Sequence, residues 1–151
     1  MIFLSEHWLS AHELPTFNNH FKDMNMWSNL KSSMDPEVVL VGRPHGGIGF
    51  VAKRLANIVY KPIVVDSDRI SGVQLISDGK IILTVVGVYL PFYNSTTDQI
   101  RLYSETLDVL QSTLDNMDPS PVMIVGDMNT NLPQYQGLSR HWHRTHPFKC
   151  I

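Results

Sequence analysis

The chain has 151 residues, with 12 Lys and Arg against 14 Asp and Glu, 43% hydrophobic and 17% charged residues; this is the length of one domain, too apolar for a disordered polyelectrolyte, and no apolar run reaches the ~20 residues of a membrane-spanning helix. The single Cys150 excludes an internal disulfide framework and a cysteine-based zinc site, and fits a reducing, intracellular setting. A formal net charge of -2 gives no global attraction for a phosphate polymer, so a nucleic-acid role requires a local basic groove or a metal ion.

Met1-Ile2-Phe3-Leu4 reads as an apolar strand. No basic region precedes it and Glu6 and His7 follow at once, which argues against a secretory signal. Ser10 and Glu13 form a weak cap for a short turn that Pro15 is expected to disturb. Val38 to Val41 and Ile48 to Ala52 are short apolar runs, separated by the glycine-punctuated turn Gly42-Arg43-Pro44-His45-Gly46-Gly47. Another strand is expected near Ile63 to Val65. Val73 and Leu75, followed by Ser77-Asp78-Gly79-Lys80, predict a hairpin, because Asp-Gly accepts the positive φ angles of the favoured two-residue turn. Its second strand, Lys80 to Leu90, is nearly continuous in β-branched residues and is expected to be buried on both faces.

The clearest helix follows. Ile100, Tyr103, Leu107, Leu110, Leu114 and Met117 recur at steps of three and four, Thr96 and Gln99 make a capping-box pattern, and Pro119 lies just past the end. Val122 to Val125 is short enough to be a buried strand. Many strands, adjacent hairpins and a covering helix favour an α+β layered domain over a doubly wound parallel one. Arg140 to Phe148 shows no regular period, so residues 1–135 read as the domain and 136–151 as an irregular tail. There, His141, His143 and His146 are read as a solvated polar tail rather than a metal site.

The residues that could carry chemistry sit at strand ends. Asp127 and Asn129 follow the strand ending at Val125 and would emerge on one side of an extended segment. A carboxylate there can bind a divalent metal or accept a proton from water, and the amide can orient that water; equally, Gly126-Asp127-Met128-Asn129 is a set of turn residues. Tyr89, at the end of the long strand, can donate a hydrogen bond to a phosphate oxygen or be a core aromatic with a satisfied hydroxyl. Glu6 is either an oxygen ligand for a hard cation or an exposed carboxylate.

Four segments occur in one order: Leu4-Ser5-Glu6-His7-Trp8-Leu9, Gly46-Gly47-Ile48-Gly49-Phe50, Val88-Tyr89-Leu90-Pro91 and Ile124-Val125-Gly126-Asp127-Met128-Asn129. Together they resemble the endonuclease/exonuclease/phosphatase superfamily, whose members include abasic-site endonucleases, DNase I-like nucleases and the endonuclease domains of non-LTR retrotransposons. Gly42-Arg43-Pro44-His45-Gly46-Gly47 and Val88-Tyr89-Leu90-Pro91-Phe92-Tyr93-Asn94 look most like the retrotransposon branch. The resemblance spans positions 1 to about 131. It implies two packed β-sheets flanked by helices and phosphodiester cleavage dependent on Mg²⁺ or Mn²⁺. It also implies a metal-binding Glu6, a phosphate-contacting Tyr89, an Asp127 that aligns or deprotonates water, and an Asn129 that helps position it.

The family's opening Asn-bearing strand and its closing Asp and Ser-Asp-His elements have no counterpart here, so the resemblance implies a domain truncated at both ends. Its site residues act together, and the 151-residue chain is expected to be a weak catalyst alone. The leading expectation is a fragment of a DNA-nicking endonuclease whose partners are the DNA phosphodiester backbone and the rest of a longer retroelement polyprotein, with no membrane involved. The alternatives are a non-catalytic relic or interaction module that keeps the sandwich core, and a phosphatase of the same superfamily.

Overall fold

A computed structural model describes residues 1–34, 46–92 and 97–129. Along the chain run β1 (Ile2–Ser5), α1 (Leu14–Asp23), β2 (Met26–Lys31), β3 (Ile48–Lys53), β4 (Val59–Ile63), β5 (Ile70–Ser77), β6 (Lys80–Tyr89), α2 (Thr97–Asp115) and β7 (Val122–Asp127). They form a three-stranded sheet in the order β1-β3-β2 and a four-stranded sheet in the order β4-β5-β6-β7. Every pairing is antiparallel except β6 with β7. That parallel pair needs a crossover, which α2 supplies.

The two sheets face each other across Phe3, Phe50, Val73, Val85 and Val125. Phe3 and Phe50 meet with ring centroids 5.2 Å apart, and Trp27 stacks on Tyr60 at 5.1 Å. Alternation then sends Val86 and Val88 to the other face of β6, where they pack with Ile70 against Tyr103 and Leu110 of α2. Ser28, opposite in sense to the inward Trp27, donates to Asn18 Oδ1 of α1 at 2.8 Å, which sets α1 on the outer face of the first sheet. The architecture is thus α+β, a two-sheet sandwich with a helix outside each sheet. No helix among the described residues is long and apolar enough to cross a membrane.

Several local expectations are corrected. Pro15 does not disturb a turn; it occupies the first turn of a 10-residue helix, where its missing N–H has no intrahelical partner to lose. Glu13 accepts from the backbone N–H of Ser10 at 2.9 Å and from its hydroxyl at 2.6 Å, fixing the approach to that helix. The strand expected near Ile63 to Val65 lies earlier, at Val59–Ile63, and β2 was not expected at all. β6 is buried on both faces only from Thr84 onward, since Ile82 is 45% exposed. β7 is part-buried, with Met123 48% exposed. On α2, Ile100 falls off the buried stripe, whereas Thr106 is buried with its hydroxyl donating to Leu102 O at 2.8 Å. The hairpin turn is as expected, with φ of 51° at Asp78 and 74° at Gly79. Val38 to Val41, the Thr96 cap and the 136–151 tail with its histidines lie outside the described residues.

Candidate active site

The sandwich brings the ends of β1, β6 and β7 to one edge. Past β1 the backbone stays paired, with Trp8 N–H donating to Gly46 O at 3.0 Å, while Glu6 and Trp8 both adopt positive φ (55° and 60°). This turn presents the Glu6 carboxylate to solvent. Next to it, His7 Nδ1 accepts from Leu9 N–H at 3.1 Å, so its proton is on Nε2, which donates to Lys31 O at 3.0 Å. Burial holds the His7 pKa below the ordinary imidazole value, although backbone hydrogen bonds oppose the shift.

Tyr89 ends β6, and its hydroxyl donates to Glu6 Oε1 at 2.5 Å across 83 residues of sequence. The phenol pKa is raised: the bond to Glu6 is the main cause, followed by burial and the Glu6 charge, while a hydrogen bond with Asn129 and the Arg69 cation pull it the other way. The hydroxyl therefore stays a proton donor. In the parallel ladder Tyr89 faces Asp127, and Leu90 N–H donates to Asp127 O at 2.9 Å.

The segment after β7 is not extended as expected. Gly126 has φ 134° and Asn129 φ 46°, and Asn129 N–H closes onto Asp127 Oδ1 at 2.9 Å in an Asx turn. The turn reading of Gly126-Asp127-Met128-Asn129 is thus the one the backbone shows. The turn sends the Asn129 amide back to Leu90 O at 2.7 Å, beside the phenol.

Of the sequence-predicted residues, Glu6, Tyr89 and Asn129 meet in one hydrogen-bonded group and Asp127 stands in register beside it. Glu6 and Tyr89 line a cleft of ≈ 270 Å³ together with Ser33, Asp68, Arg69 and Phe92; Asp127 and Asn129 are not among its lining residues. A larger groove of ≈ 820 Å³ between β4 and α2 contains none of the predicted residues. Sequence reasoning missed Arg69. Its guanidinium lies over the Tyr89 ring, 5.7 Å from the centroid, and its carbonyl accepts Tyr89 N–H at 2.9 Å. The available signal was the polar run Ser67-Asp68-Arg69 immediately before the strand that begins at Ile70.

Glu6 and Asp68, two residues with hard carboxylate oxygens, both line this cleft. Mg²⁺ commonly takes one or two carboxylates and completes its shell with water and substrate phosphate, so this donor set fits a hydrated Mg²⁺. Among the described residues no group of three or more His, Cys, Asp or Glu forms a self-sufficient cage.

No protein-family model and no curated protein matches the sequence. A solved structure, the human Nocturnin catalytic domain with bound sulfate anion, is similar in shape at 13% sequence identity and a TM-score of 0.49, over 95% of this chain and 55% of that one. The chain thus spans about half the length of the structure it matches.

Proposed function

We propose that the chain is part of a divalent-metal-dependent phosphodiesterase of the endonuclease/exonuclease/phosphatase superfamily, acting on DNA as a retrotransposon-type nicking endonuclease. The observation that carries this reading is the Tyr89 to Glu6 hydrogen bond, formed between residues 83 apart, with Asn129 and Arg69 gathered on the same phenol. A structural tyrosine needs one partner; here a carboxylate, an amide and a cation converge on an accessible edge.

In this reading a DNA phosphate lies in the cleft over Tyr89. The phenol turns from Glu6 to donate to a nonbridging oxygen, and Arg69 adds fixed positive charge nearby. Asp127, held by the Asn129 backbone N–H, takes a proton from the attacking water while the Asn129 amide orients that water. The water oxygen bonds to phosphorus, the opposite P–O bond breaks, and solvent protonates the leaving oxygen. Glu6, with Asp68 nearby, would hold Mg²⁺, which when bound neutralises charge on the phosphate oxygens. The retrotransposon assignment rests on the local wording around Gly46 and Tyr89, and it makes a longer polyprotein the natural setting.

The test is nicking of supercoiled plasmid by the purified 151-residue chain. Slow open-circle formation is expected with Mg²⁺, stopping with EDTA, and falling about 10²–10⁴-fold in Asp127→Ala. Nicking that is insensitive to EDTA and to Asp127→Ala would refute the reading. Absence of nicking would favour the non-catalytic module, and release of phosphate from a monoester without nicking would favour the phosphatase.

A further inference from the structure

Beside the cleft sits a cation directed inward. Lys31, the last residue of β2, is half-buried, and its Nζ donates to the carbonyls of Val65 at 2.9 Å, Ser67 at 3.3 Å and Ile70 at 3.2 Å. Three carbonyl dipoles aimed at one point repel each other unless a cation stands between them, and an ammonium has three protons to distribute. Asp66 and Asp68 on the same turn add negative charge around it.

These bonds join two sheets. Lys31 belongs to the three-stranded sheet, whereas the carbonyls belong to the β4–β5 connection and the start of β5 in the other. The connection so held contains Arg69, whose carbonyl accepts Tyr89 N–H. The backbone carbonyl of Lys31 in turn accepts His7 Nε2–H, one position from Glu6. Glu6 and Arg69 thus both reach Tyr89 through supports that share one residue, Lys31.

We infer that Lys31 is the positioning residue of the cleft: its ammonium fixes the 65–70 turn, and with it Arg69, relative to the strand end that presents Glu6. The consequence for catalysis rests on the phosphodiesterase reading; the consequence for the position of Arg69 does not.

The experiment compares wild type, Lys31→Met and Lys31→Arg by NMR and by plasmid nicking. In folded Lys31→Met the Arg69 side-chain resonances lose their ring-current shift from Tyr89. Exchange of the Tyr89 amide accelerates at least about tenfold, the equivalent of one hydrogen bond to a charged group. Nicking falls about 10²-fold in kcat with KM little changed, as for a small displacement of a catalytic group. Lys31→Arg, which keeps the cation, restores part of each. A folded Lys31→Met with unaltered Arg69 shifts and Tyr89 exchange overturns the inference. Should that variant not fold, Lys31→Gln takes its place, and the same two readouts must move in the same direction or the inference falls. If wild type never nicks while Lys31→Met still frees Arg69, the phosphodiesterase reading fails and the positioning role stands.

Discussion

Gly126 is the position where the β6–β7 pair tolerates no side chain. It pairs with Val88 one step before Tyr89 faces Asp127, at φ 134°. A Cβ there would lie 1.9 Å from Val88 O, 2.8 Å from its carbonyl carbon and 2.9 Å from its nitrogen. These are backbone atoms, so no rotamer change relieves the clash. Gly126→Ala therefore combines backbone strain of about 1–3 kcal/mol with overpacking of about 1–3 kcal/mol, in total about 2–6 kcal/mol. This is a large part of the roughly 5–15 kcal/mol that stabilises a domain. In urea, with an m-value of about 2 kcal/mol/M, the midpoint should fall by about 1–3 M. Fluorescence or circular dichroism would follow the transition, and NMR of Leu90 and Tyr89 would show whether the ladder opens at this step. A midpoint within about 0.3 M of wild type at unchanged m would refute the reasoning, because then the strand pair has slack at Gly126.

Two further predictions concern stability. The Ser71 hydroxyl is fully buried with no hydrogen-bond partner among the described residues; Ser71→Ala should stabilise by about 1 kcal/mol in the same urea assay by removing an uncompensated desolvation cost. Glu13 has its pKa lowered by the hydrogen bonds from Ser10. Its contribution is complete above the ordinary value of 4.5 and is lost as the pH falls through the lower folded value, so the stability gap between wild type and Glu13→Gln should close in that window.

What could be read from the residues alone was local. Asp78-Gly79 fixes its hairpin through φ preferences that need no distant partner, and the three-four spacing of Tyr103, Leu107 and Leu110 marks α2 on its own. β2 has neither advantage. Met26-Trp27-Ser28-Asn29-Leu30-Lys31 contains no β-branched residue and becomes a strand because β3 offers it a ladder. Pro15 misled because a proline one turn into a helix and a proline in its first turn look alike until the start is known. The meeting of Glu6, Tyr89 and Asn129 was expected only from a resemblance of ordered segments; periodicity carries no information about which strand ends share an edge. Arg69 escaped because a search for basic clusters overlooks one guanidinium held over one ring.

The sequence distance between Glu6 and Tyr89 has a bearing on synthesis. At roughly 5–20 residues per second, the 83 residues separating them take roughly 4–17 s to emerge from a ribosome. In the later part of that interval, once β3 has emerged, Phe3 and Phe50 share a sheet but lack the opposing one, so an apolar face waits uncovered until the β5–β6 hairpin arrives and closes within microseconds. A nascent chain of this architecture should therefore engage holdase chaperones most strongly just before residue 89 clears the exit tunnel, and disengage soon after.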